Sequence, residues 1–347
     1  MKISVLIPVY NGARTIQSTV ESVLNQGRAA DEIIVMDDGS TDDTYALLKS
    51  YVPRITLLQQ ENRGVAATRN ALCAHASGDL ITFLDADDLW HTKYLEFLHQ
   101  LFTEHPTAVG FFTGHLNFEG YGAYTWNSDP LAAQPKVEVI SGMDFLTRYN
   151  DSTGPFASAS YCSVPGRVIR YLGKEPFCLN GVEDSYLCTT LPLLGSVVYA
   201  PAPLVAYRIT SSSLSSDRLK MFGPWVDVFR LLEGRYKKQA SADLLAEFGR
   251  AFASRRRQYG KLLMSSGQTS EARKQFWNAM GNSTSPSSIA KSLGWFAASC
   301  MPPWLQPKWP SVRREWKNAD DAVMEDFHSA LRSSSTLAVR PPSGNTR

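Results

Sequence analysis

The sequence predicts an α/β protein whose central sheet is mostly parallel. In the first quarter of the chain, four short apolar segments alternate with three amphipathic ones, which gives the order βαβαβαβ. Every apolar segment ends at polar residues or glycine, as strands do. The chain has 347 residues, of which 44% are hydrophobic, and this is enough for one catalytic domain with an appendage. Such alternation implies a sheet covered by helices on both faces.

The predicted elements follow one another closely in the N-terminal part of the chain. Strands are predicted at 3–10, 32–36, 55–59 and 80–84, and helices at 15–26, 43–51 and 65–75. The first strand stops at Asn11 and Gly12, and the apolar side chains of the following helix recur at spacings of three and four. Ser40 and Thr41 are the expected caps of the second helix.

Three polar clusters follow the strands that end near Val9, Met36 and Leu84. The carboxyl ends of parallel strands share one edge of the sheet, so these clusters are expected to open onto one crevice, where α/β proteins bind ligands. The first strand is not followed by the Gly-x-Gly-x-x-Gly that binds dinucleotides, and the chain contains no Gly-x4-Gly-Lys-Ser/Thr phosphate loop. A nucleotide that lies across this crevice must therefore be bound in another way.

The acids after the fourth strand, Asp85, Asp87 and Asp88, are a candidate divalent-cation site. Mg²⁺ and Mn²⁺ prefer oxygen ligands and keep open positions that the phosphates of a nucleotide fill. A solvated turn is the alternative interpretation, because Asp is favoured in turns and at helix N-termini. In that interpretation Asp88 caps the helix that is expected to start near His91.

Four motifs resemble those of the inverting family 2 glycosyltransferases, which have the GT-A fold. They occur in the order and spacing of that family over about the first 90 residues, and they are Pro8-Val-Tyr-Asn11, Asp37-Asp-Gly-Ser-Thr-Asp42, Asn62-Arg-Gly64 with Thr68-Arg-Asn70, and Asp85-Ala-Asp-Asp88. The resemblance implies a Rossmann-like donor domain. It also implies metal-assisted transfer of one sugar from a nucleoside diphosphate sugar.

The resemblance assigns roles to individual residues. It implies that the metal, Mn²⁺ or Mg²⁺, is bound by Asp87 and Asp88, and the donor by Pro8, Val9, Tyr10, Asn11, Asp38, Arg69, Asp85 and Arg208. The backbone and side chains around Tyr10 are expected to contact the base and ribose, and Asp38 is expected to bind the base. Asp85 is expected beside the ribose and Arg69 beside the diphosphate. For Arg69, a surface arginine on an exposed helix face is the alternative.

Inversion at the anomeric carbon needs a base that takes the proton of the acceptor hydroxyl. The candidate is Asp184, with Glu183 as the second choice, in Gly181-Val-Glu-Asp-Ser-Tyr-Leu187, which resembles the family's Glu-Asp motif and opens a helix predicted to run to Gly195. A carboxylate is ionised at pH 7, and base catalysis is typically worth about 10²–10⁴-fold. Two acids that favour the dipole of a helix N-terminus are the alternative interpretation.

A later segment, Val205-Ala-Tyr-Arg-Ile-Thr210, resembles the family's closing Tyr-Arg-x-His segment. Thr210 stands where His is common, so the sequence gives no basis for an imidazole contact to metal or diphosphate. Arg208 is the remaining phosphate-side candidate, and a structural arginine at the end of a strand is the alternative.

The acceptor half of the domain is predicted from weaker patterns. They indicate a strand at 109–118, a loop at 120–135, a helix at 141–149 and a strand at 158–164. In the loop, Tyr121, Tyr124 and Trp126 either form an aromatic platform for a sugar ring or pack the loop onto the core.

The chain is expected to divide into a GT-A domain at 1–215, a helical C-terminal extension at 216–330 and a disordered tail at 331–347, with a Ser-rich hinge at 211–216. Helices of the extension are predicted at 225–236, 241–263 and 271–280, and Arg255, Arg256 and Arg257 are expected to form a solvated helix face. Between residues 289 and 316, Trp and aliphatic residues are interleaved with Lys and Arg, which is typical of a helix in a membrane interface. Packing against the catalytic domain explains the same aromatic residues.

Charge, cysteines and hydropathy limit the partners and the compartment. The 35 basic residues against 33 acidic ones give no signature of nucleic-acid binding. Five cysteines without a Cys-x-x-Cys pair predict reduced thiols in a cytoplasmic protein. No signal peptide and no apolar stretch of about 20 residues is found, so any contact with the inner membrane face is expected to be peripheral.

The expected donor is a UDP-linked sugar, and the expected acceptor is a polyprenyl-linked or polysaccharide glycan. Two other classes remain as alternatives, a non-catalytic module that binds sugar nucleotides and a metal-dependent phosphatase with an aspartyl nucleophile. The phosphatase needs Asp-x-Asp after the first strand, whereas here it follows the fourth. Processive synthases usually carry several transmembrane helices and a Gln-x-x-Arg-Trp segment, and neither occurs, so a single transfer is favoured.

Overall fold

The computed structural model describes residues 1–122, 124–150, 158–210, 218–236, 241–283 and 285–301. Within these residues nine strands form one sheet, which confirms the predicted α/β class. The strands are β1 (Ile3–Val9), β2 (Glu32–Asp37), β3 (Thr56–Gln59), β4 (Leu80–Phe83), β5 (Leu89–Trp90), β6 (Gly110–Glu119), β7 (Glu138–Ile140), β8 (Cys162–Pro165) and β9 (Val197–Ile209).

The strand order of the sheet is β3-β2-β1-β4-β8-β6-β9-β5, and β7 pairs with β9 beside this row. The first four strands are parallel to one another. Because β8 is antiparallel to both β4 and β6, β6 runs in the direction of β4, and β9 is parallel to β6. Six of the nine strands in the described part of the chain therefore share one direction, which confirms the mostly parallel sheet.

Helices cover both faces of this sheet. Their bounds are α1 (Ile16–Leu24), α2 (Thr44–Lys49), α3 (Val65–His75), α4 (Tyr94–Glu104), α5 (Gly142–Asn150), α6 (Gly166–Leu172), α7 (Glu183–Leu194), α8 (Arg218–Tyr236), α9 (Ala242–Ser265), α10 (Thr269–Gly281) and α11 (Pro286–Cys300). The predicted strands and helices of the first 84 residues agree with these bounds apart from one or two residues at their ends.

The acceptor half departs further from the predictions. The stretch 158–164, predicted as one strand, begins with a 3-10 turn at Ala159–Tyr161, and only β8 is extended. The strands β5 and β7 and the helix α6 were not predicted. They contain two, three and seven residues, too few for a periodic pattern to emerge.

The two faces of the sheet bury two hydrophobic clusters. Leu6 points into one cluster and the next residue, Ile7, into the other, as the alternation of a strand requires. α1 and α4 pack on the face of Ile7, and α3, α5 and α7 on the face of Leu6. Phe229 of α8 and Phe252 of α9 belong to the Leu6 cluster as well, so the start of the helical extension shares its core with the sheet. The predicted hinge at 211–216 and the tail at 331–347 lie outside the described residues.

The loops after β1 and β2 are tied to each other. Asn11, with a positive φ of 50°, accepts a hydrogen bond from the Thr41 amide at 2.8 Å, and its own amide donates to Ser40 Oγ at 2.9 Å. The prediction that Ser40 and Thr41 cap the second helix is therefore wrong, because both serve the neighbouring loop. The first amide of α2, that of Thr44, instead donates to the Asp42 carboxylate at 3.0 Å.

Candidate active site

The carboxyl ends of β1, β2 and β4 lie side by side in the sheet and carry Tyr10, Asp38 and the acids from Asp85 to Asp88. The N-terminus of α7 brings Glu183 and Asp184 to the same edge, because Arg69 of α3 pairs with both Asp85 and Glu183. The structure thus joins the predicted donor-side acids and the predicted base through one arginine.

Arg69 is the centre of this arrangement. Its side chain is 3% exposed, and its guanidinium donates from Nη2 to Asp85 Oδ1 and from Nη1 to Glu183 Oε1. Burial opposes the charged form, but the charges of Asp85 and Glu183 outweigh it and raise the pKa of Arg69 overall. The alternative of a surface arginine on an exposed helix face is therefore wrong.

Asp184 has the electrostatic environment of a base that works near neutral pH. Burial and the charge of Glu183 raise the pKa of Asp184 to about 7, against the opposing effect of Arg69. Its Oδ1 accepts the backbone amide of Ser185 at 2.6 Å. Glu183, the second candidate, has both oxygens engaged, one by Arg69 and the other by the Gly181 amide at 2.6 Å. Of the two acids, Asp184 is thus the one placed to accept a proton.

The acids after β4 crowd one another. Burial and the charge of Asp85 raise the pKa of Asp87 to about 6. Burial and the charges of Asp87 and Asp85 also raise the pKa of Asp88, whose side chain is almost fully buried. Asp88 Oδ1 accepts the backbone amide of Arg208 at 2.8 Å, while Oδ2 is a buried oxygen without a hydrogen-bond partner. Asp88 therefore links the loop after β4 to β9, and the prediction that it caps a helix near His91 is wrong.

These carboxylates suit a divalent cation. In the described ranges no three His, Cys, Asp or Glu side chains form a complete metal-binding group. A hard cation at a nucleotide site takes only one or two protein carboxylates and fills its other positions with phosphate oxygens and water. The unpartnered Asp88 Oδ2 and the raised pKa of Asp87 are what such a partial set shows before a cation offsets its charge.

Asp38 and Asn180 hold the loop between β3 and α3 in place. Asp38 is buried, and its carboxylate accepts the amides of Arg63 and Gly64 at 3.0 and 2.9 Å and the side chain of Gln60 at 2.7 Å. Gly64 has a φ of 85°, and a Cβ on it would lie 2.6 Å from the Asn180 side chain, so only glycine fits this turn. Asn180 Oδ1 in turn accepts the Ala66 amide at 2.9 Å, in the first turn of α3.

The segment from Pro8 to Asn11 presents less to a ligand than expected. Pro8 and Val9 are buried in β1, so little of their side chains is open, and the contact of this segment with the base and ribose stays a prediction. Tyr10 is 52% exposed, and its ring is free to face a base or ribose.

Arg208 lies beside the acids but does not reach into open space. Its Nε donates to the Asp87 carbonyl at 2.6 Å, and its Nη1 donates to the carbonyls of Gly120 and Gly122. The Phe118 ring lies 4.4 Å from the guanidinium carbon. Arg208 is 1% exposed and holds the loop after β6 against the loop after β4, while its Nη2 has no hydrogen-bond partner, so the role on the phosphate side stays a prediction.

The aromatic residues of that loop divide between two roles. Trp126 Nε1 donates to the Pro203 carbonyl at 3.1 Å, and the Tyr124 ring meets Trp126 edge to face at 4.9 Å, so both pack the loop onto β9. Tyr121 stacks against the Arg14 guanidinium at 3.5 Å and stays 41% exposed. Of the three, Tyr121 alone remains open to a ligand.

Three residues of the site were missed in the sequence. Ser160 Oγ accepts the Asp85 amide at 3.0 Å, Asn180 supports α3, and Trp225 of α8 donates to Ser185 Oγ at 3.1 Å, next to the base. The pair Asn180-Gly181 precedes the acidic motif and is a turn signal, so the sequence offers a local pattern that points to Asn180. Ser160 and Trp225 come from distant segments, and no local pattern points to them.

Comparisons with known proteins give a consistent result. Residues 4–164 match the family described as Glycosyl transferase family 2. The glycosyltransferase TuaG of Bacillus subtilis (strain 168), named for teichuronic acid biosynthesis, is 35% identical over 238 residues, which cover 67% of this chain and 88% of TuaG. Three other curated relatives are matched over only 31% to 51% of their own length.

Two solved structures share the fold. TarS from S. aureus in complex with UDP-GlcNAc has a TM-score of 0.63 at 17% identity and covers 86% of this chain and 90% of its own. The mannosyltransferase PcManGT from Pyrobaculum calidifontis, in complex with GDP-Man and Mn²⁺, has a TM-score of 0.56 at 18% identity and covers 95% and 87%. At such low identity these similarities establish the GT-A type of fold and nothing finer.

Proposed function

The chain belongs to the family 2 glycosyltransferases, and from this membership we propose that it is an inverting enzyme that transfers one sugar from a nucleoside diphosphate sugar to an acceptor hydroxyl. The observation that carries the proposal is the environment of Asp184. This acid has a pKa raised to about 7 and lies at the sheet edge that also carries the acids after β4. A proton acceptor and a diphosphate-binding edge within one cleft are what inverting transfer requires.

In the proposed reaction, Asp184 takes the proton of the acceptor hydroxyl as the hydroxyl oxygen bonds to the anomeric carbon. The bond between that carbon and the diphosphate breaks at the same time, and the configuration inverts because attack and departure occur on opposite faces of the sugar. Positioned base catalysis of this kind contributes about 10²–10⁴-fold. A pKa near the working pH leaves about half of the Asp184 side chains ionised and lets the carboxylate hold the proton that it receives.

Arg69 and Glu183 are proposed to position the reacting groups. Glu183 is fixed by Arg69 and by the Gly181 amide, so it holds the start of α7 and with it Asp184. Arg69 also binds Asp85, which is proposed to contact the donor ribose. The same arginine therefore fixes the distance between the donor side and the base, a distance on which a transfer between two bound molecules depends steeply.

The donor is proposed to lie across the ends of β1, β2 and β4. The exposed Tyr10 ring would flank the base or ribose, and Asp38 would shape the base pocket through the loop of Arg63 and Gly64 that it holds. Asn11, which keeps the loops after β1 and β2 together, would act from the rim of this pocket.

Asp87 and Asp88 are the residues proposed to hold Mn²⁺ or Mg²⁺. When bound, the cation supplies Lewis-acid stabilisation of the leaving diphosphate. The chain contributes acids held close together by the fold, and burial together with the charges of neighbouring aspartates raises the pKa values of Asp87 and Asp88. The Mn²⁺ in the PcManGT complex supports this proposal.

A UDP-linked sugar is the proposed donor and a glycan of surface-polysaccharide synthesis, free or polyprenyl-linked, the proposed acceptor. UDP-GlcNAc in the TarS complex supports a UDP-linked donor. Because the PcManGT complex contains GDP-Man, GDP is included in the binding experiment below. The biosynthetic name of TuaG supports a polysaccharide acceptor.

Titration calorimetry tests the donor site. UDP, GDP and dTDP are titrated into the full chain with and without Mn²⁺, beside an Asp87→Asn variant. We expect one nucleotide to bind, and the affinity to fall by at least about tenfold, or 1.4 kcal/mol, without either the cation or Asp87. Asp243→Asn, an exposed acid in the first turn of α9, is the matched control and is expected to bind like the unaltered chain.

Turnover separates the enzyme from the alternative of a non-catalytic module. UDP release from the matching UDP sugars is followed with acceptor glycans, and the anomeric configuration of the product is read by NMR. Binding without turnover on any acceptor would favour the module, and retention of configuration would exclude Asp184 as the base. Release of phosphate from simple phosphate esters would favour the phosphatase.

A further inference from the structure

Helix α11 buries polar residues and exposes apolar ones. Ser288, Ser292 and Ser299 lie on its covered side, whereas Ile289 and Leu293 are 40% and 53% exposed. In a helix that packs on a protein core, the opposite arrangement is normal. The buried serines must therefore have polar partners inside the protein, and the exposed apolar side is a candidate binding surface.

The buried serines have such partners. Arg257 of α9 donates from Nη1 to Ser288 Oγ at 2.8 Å and to Ser292 Oγ at 3.2 Å. Arg273 of α10 donates to the Ser299 carbonyl at 2.9 and 3.1 Å. The polar side of α11 is turned inward, where it meets the half-buried Arg257 and the exposed Arg273, and the apolar side is left outward.

The exposed apolar residues form one continuous surface. Ile289 and Leu293 and the half-buried Phe296 follow at spacings of four and three, so they lie on one side of α11. Trp277 of α10, which is 62% exposed, contacts Phe296 with a ring distance of 5.6 Å, and the exposed Met301 follows at the end of α11. These five residues are here called the α10–α11 face.

The surroundings of this face carry positive charge. Within residues 269–301, which include α10 and α11, the sequence has one acid, Glu271, against the basic Arg273, Lys274 and Lys291, and Lys261 of α9 lies beside them. Glu271 pairs with Lys274 at 3.1 Å, one turn before Trp277. On the other border of α11, Lys291 is exposed, and Lys261 lies 4.6 Å from the Trp295 ring. Burial and the charges of Arg257 and Lys291 lower the pKa of Lys261, which shows how closely these cations gather.

We propose that the α10–α11 face docks on the surface of an anionic phospholipid bilayer. Interfacial helices lie flat, with aromatic and aliphatic side chains about 5–10 Å into the headgroup region and Lys or Arg toward the lipid phosphates. Basic residues near an anionic leaflet strengthen this binding through electrostatic attraction, which added salt screens. Among the described helices, none is long and apolar enough to cross a membrane, so the contact is on the surface.

A second copy of the chain fits this face less well. Docking two copies through it would bring two strongly basic segments together, and like charges at an interface are repulsive. The ring contacts of the α11 aromatic residues include partners within the helical extension, since Trp295 stacks on Phe276 at 6.0 Å and Phe296 meets Trp277. The inference goes beyond the proposed function, because transfer to a soluble acceptor does not need a membrane.

Vesicle binding tests the proposal on the full chain. Co-sedimentation is measured with vesicles of phosphatidylcholine alone and of phosphatidylcholine with an equal amount of phosphatidylglycerol. We expect binding only to the anionic vesicles, weakened by added salt. Leu293→Glu and Trp277→Glu are each expected to lower the affinity by about tenfold or more, while Leu231→Glu, an equally exposed leucine of α8, serves as the matched control.

Three outcomes would overturn the proposal. They are no binding to anionic vesicles, equal binding of Leu293→Glu and the unaltered chain, and a dimer in light scattering that Leu293→Glu dissociates, which would assign the face to a second copy. Nucleotide titration on the same preparations keeps this test apart from the donor site. A chain that binds nucleotide but no vesicles contradicts the docking surface alone, and the reverse contradicts the proposed function alone.

Discussion

The two ends of the molecule bury charge of opposite sign. At the carboxyl edge of the sheet, Asp87, Asp88 and Asp184 are crowded acids whose pKa values are raised by burial and by the charges of neighbouring acids, among them Asp85 and Glu183. In the helical extension, Arg256 and Arg257 are arginines that burial drives toward a lower pKa. Neither region neutralises these groups by simple ion pairing. The two regions differ in how they accommodate the buried charge.

The difference follows from the chemistry of the two side chains. An aspartate in a crowded site can bind a proton, so its pKa moves to about 6 or 7 and the site stays responsive to protons and cations. An arginine stays charged under all physiological conditions, so it must be solvated by fixed partners. Arg256 donates to Gln275 at 2.9 Å and lies 4.4 Å from the Phe252 ring, and Arg257 uses serine hydroxyls. The crowded acids can therefore change their protonation state near neutral pH, whereas the buried arginines keep their charge and their fixed hydrogen-bond partners.

Replacing the base should produce the largest effect. Asp184→Asn keeps the size of the side chain but cannot take the acceptor proton, so we expect the transfer rate to fall by about 10²–10⁴-fold. Nucleotide affinity in calorimetry should change by less than about threefold, because Asp184 does not touch the donor loops. Glu183→Gln is the matched comparison. If this variant keeps α7 in place and its transfer rate falls as far as that of Asp184→Asn, Glu183 would be the base.

Breaking the bridge between donor side and base should cost stability. Arg69→Met leaves Asp85 and Glu183 without their buried partner, and such a change typically destabilises a protein by about 3–5 kcal/mol. Urea unfolding followed by circular dichroism measures it. Arg230→Met is the control, because the pair of Arg230 with Asp227 is exposed and should contribute less than about 1 kcal/mol. Similar midpoints for the two variants would show that Arg69 is not a buried ion-pair centre.

The sequence predicted the acidic end of the molecule far better than the basic end. The motifs from Pro8 to Asp88 lie at the ends of strongly periodic strands, so their common edge follows from the parallel order. The link of Arg69 to Glu183 spans 114 residues of sequence, and no local pattern encodes it. Arg208 shows the same limit, because its motif was recognised but the carbonyls that occupy its guanidinium come from the distant loop after β6.

The prediction of a solvated helix face at Arg255, Arg256 and Arg257 was wrong for a related reason. A run of charges on a helix is exposed unless other helices cover it. Here α10 and α11 supply Gln275, Ser288 and Ser292, polar groups that allow the arginines to be buried. Polar residues at covered positions do not appear in hydrophobic periodicity, so no pattern in the sequence of α10 or α11 indicated that these helices would cover the arginines.

The acidity of the base gives a prediction of intermediate size. Because Asp184 must be deprotonated to act and its pKa is raised to about 7, activity should fall as pH drops below that value. We expect kcat/KM near pH 6 to be about tenfold below its plateau, and to approach a slope of one per pH unit at lower pH. Initial rates with a soluble acceptor measure it, with circular dichroism to exclude unfolding. A flat profile down to about pH 5 would indicate a base with an ordinary carboxylate pKa.

The smallest effect should come from the same kind of substitution as Arg69→Met, made at the other end of the molecule. Arg256→Met removes a buried arginine that bonds to neutral Gln275 and not to a carboxylate, so no buried charge is left behind. The variant loses the hydrogen bond to Gln275 and the contact with Phe252, but it no longer has to bury a charged guanidinium whose Nε lacks a hydrogen-bond partner. Because these effects offset one another, we expect the free energy of unfolding to change by about 1 kcal/mol or less. Urea unfolding beside Arg69→Met gives the comparison directly. A loss as large as that of Arg69→Met would mean that Arg256 has an anionic partner, and the contrast between the two ends of the molecule would then disappear.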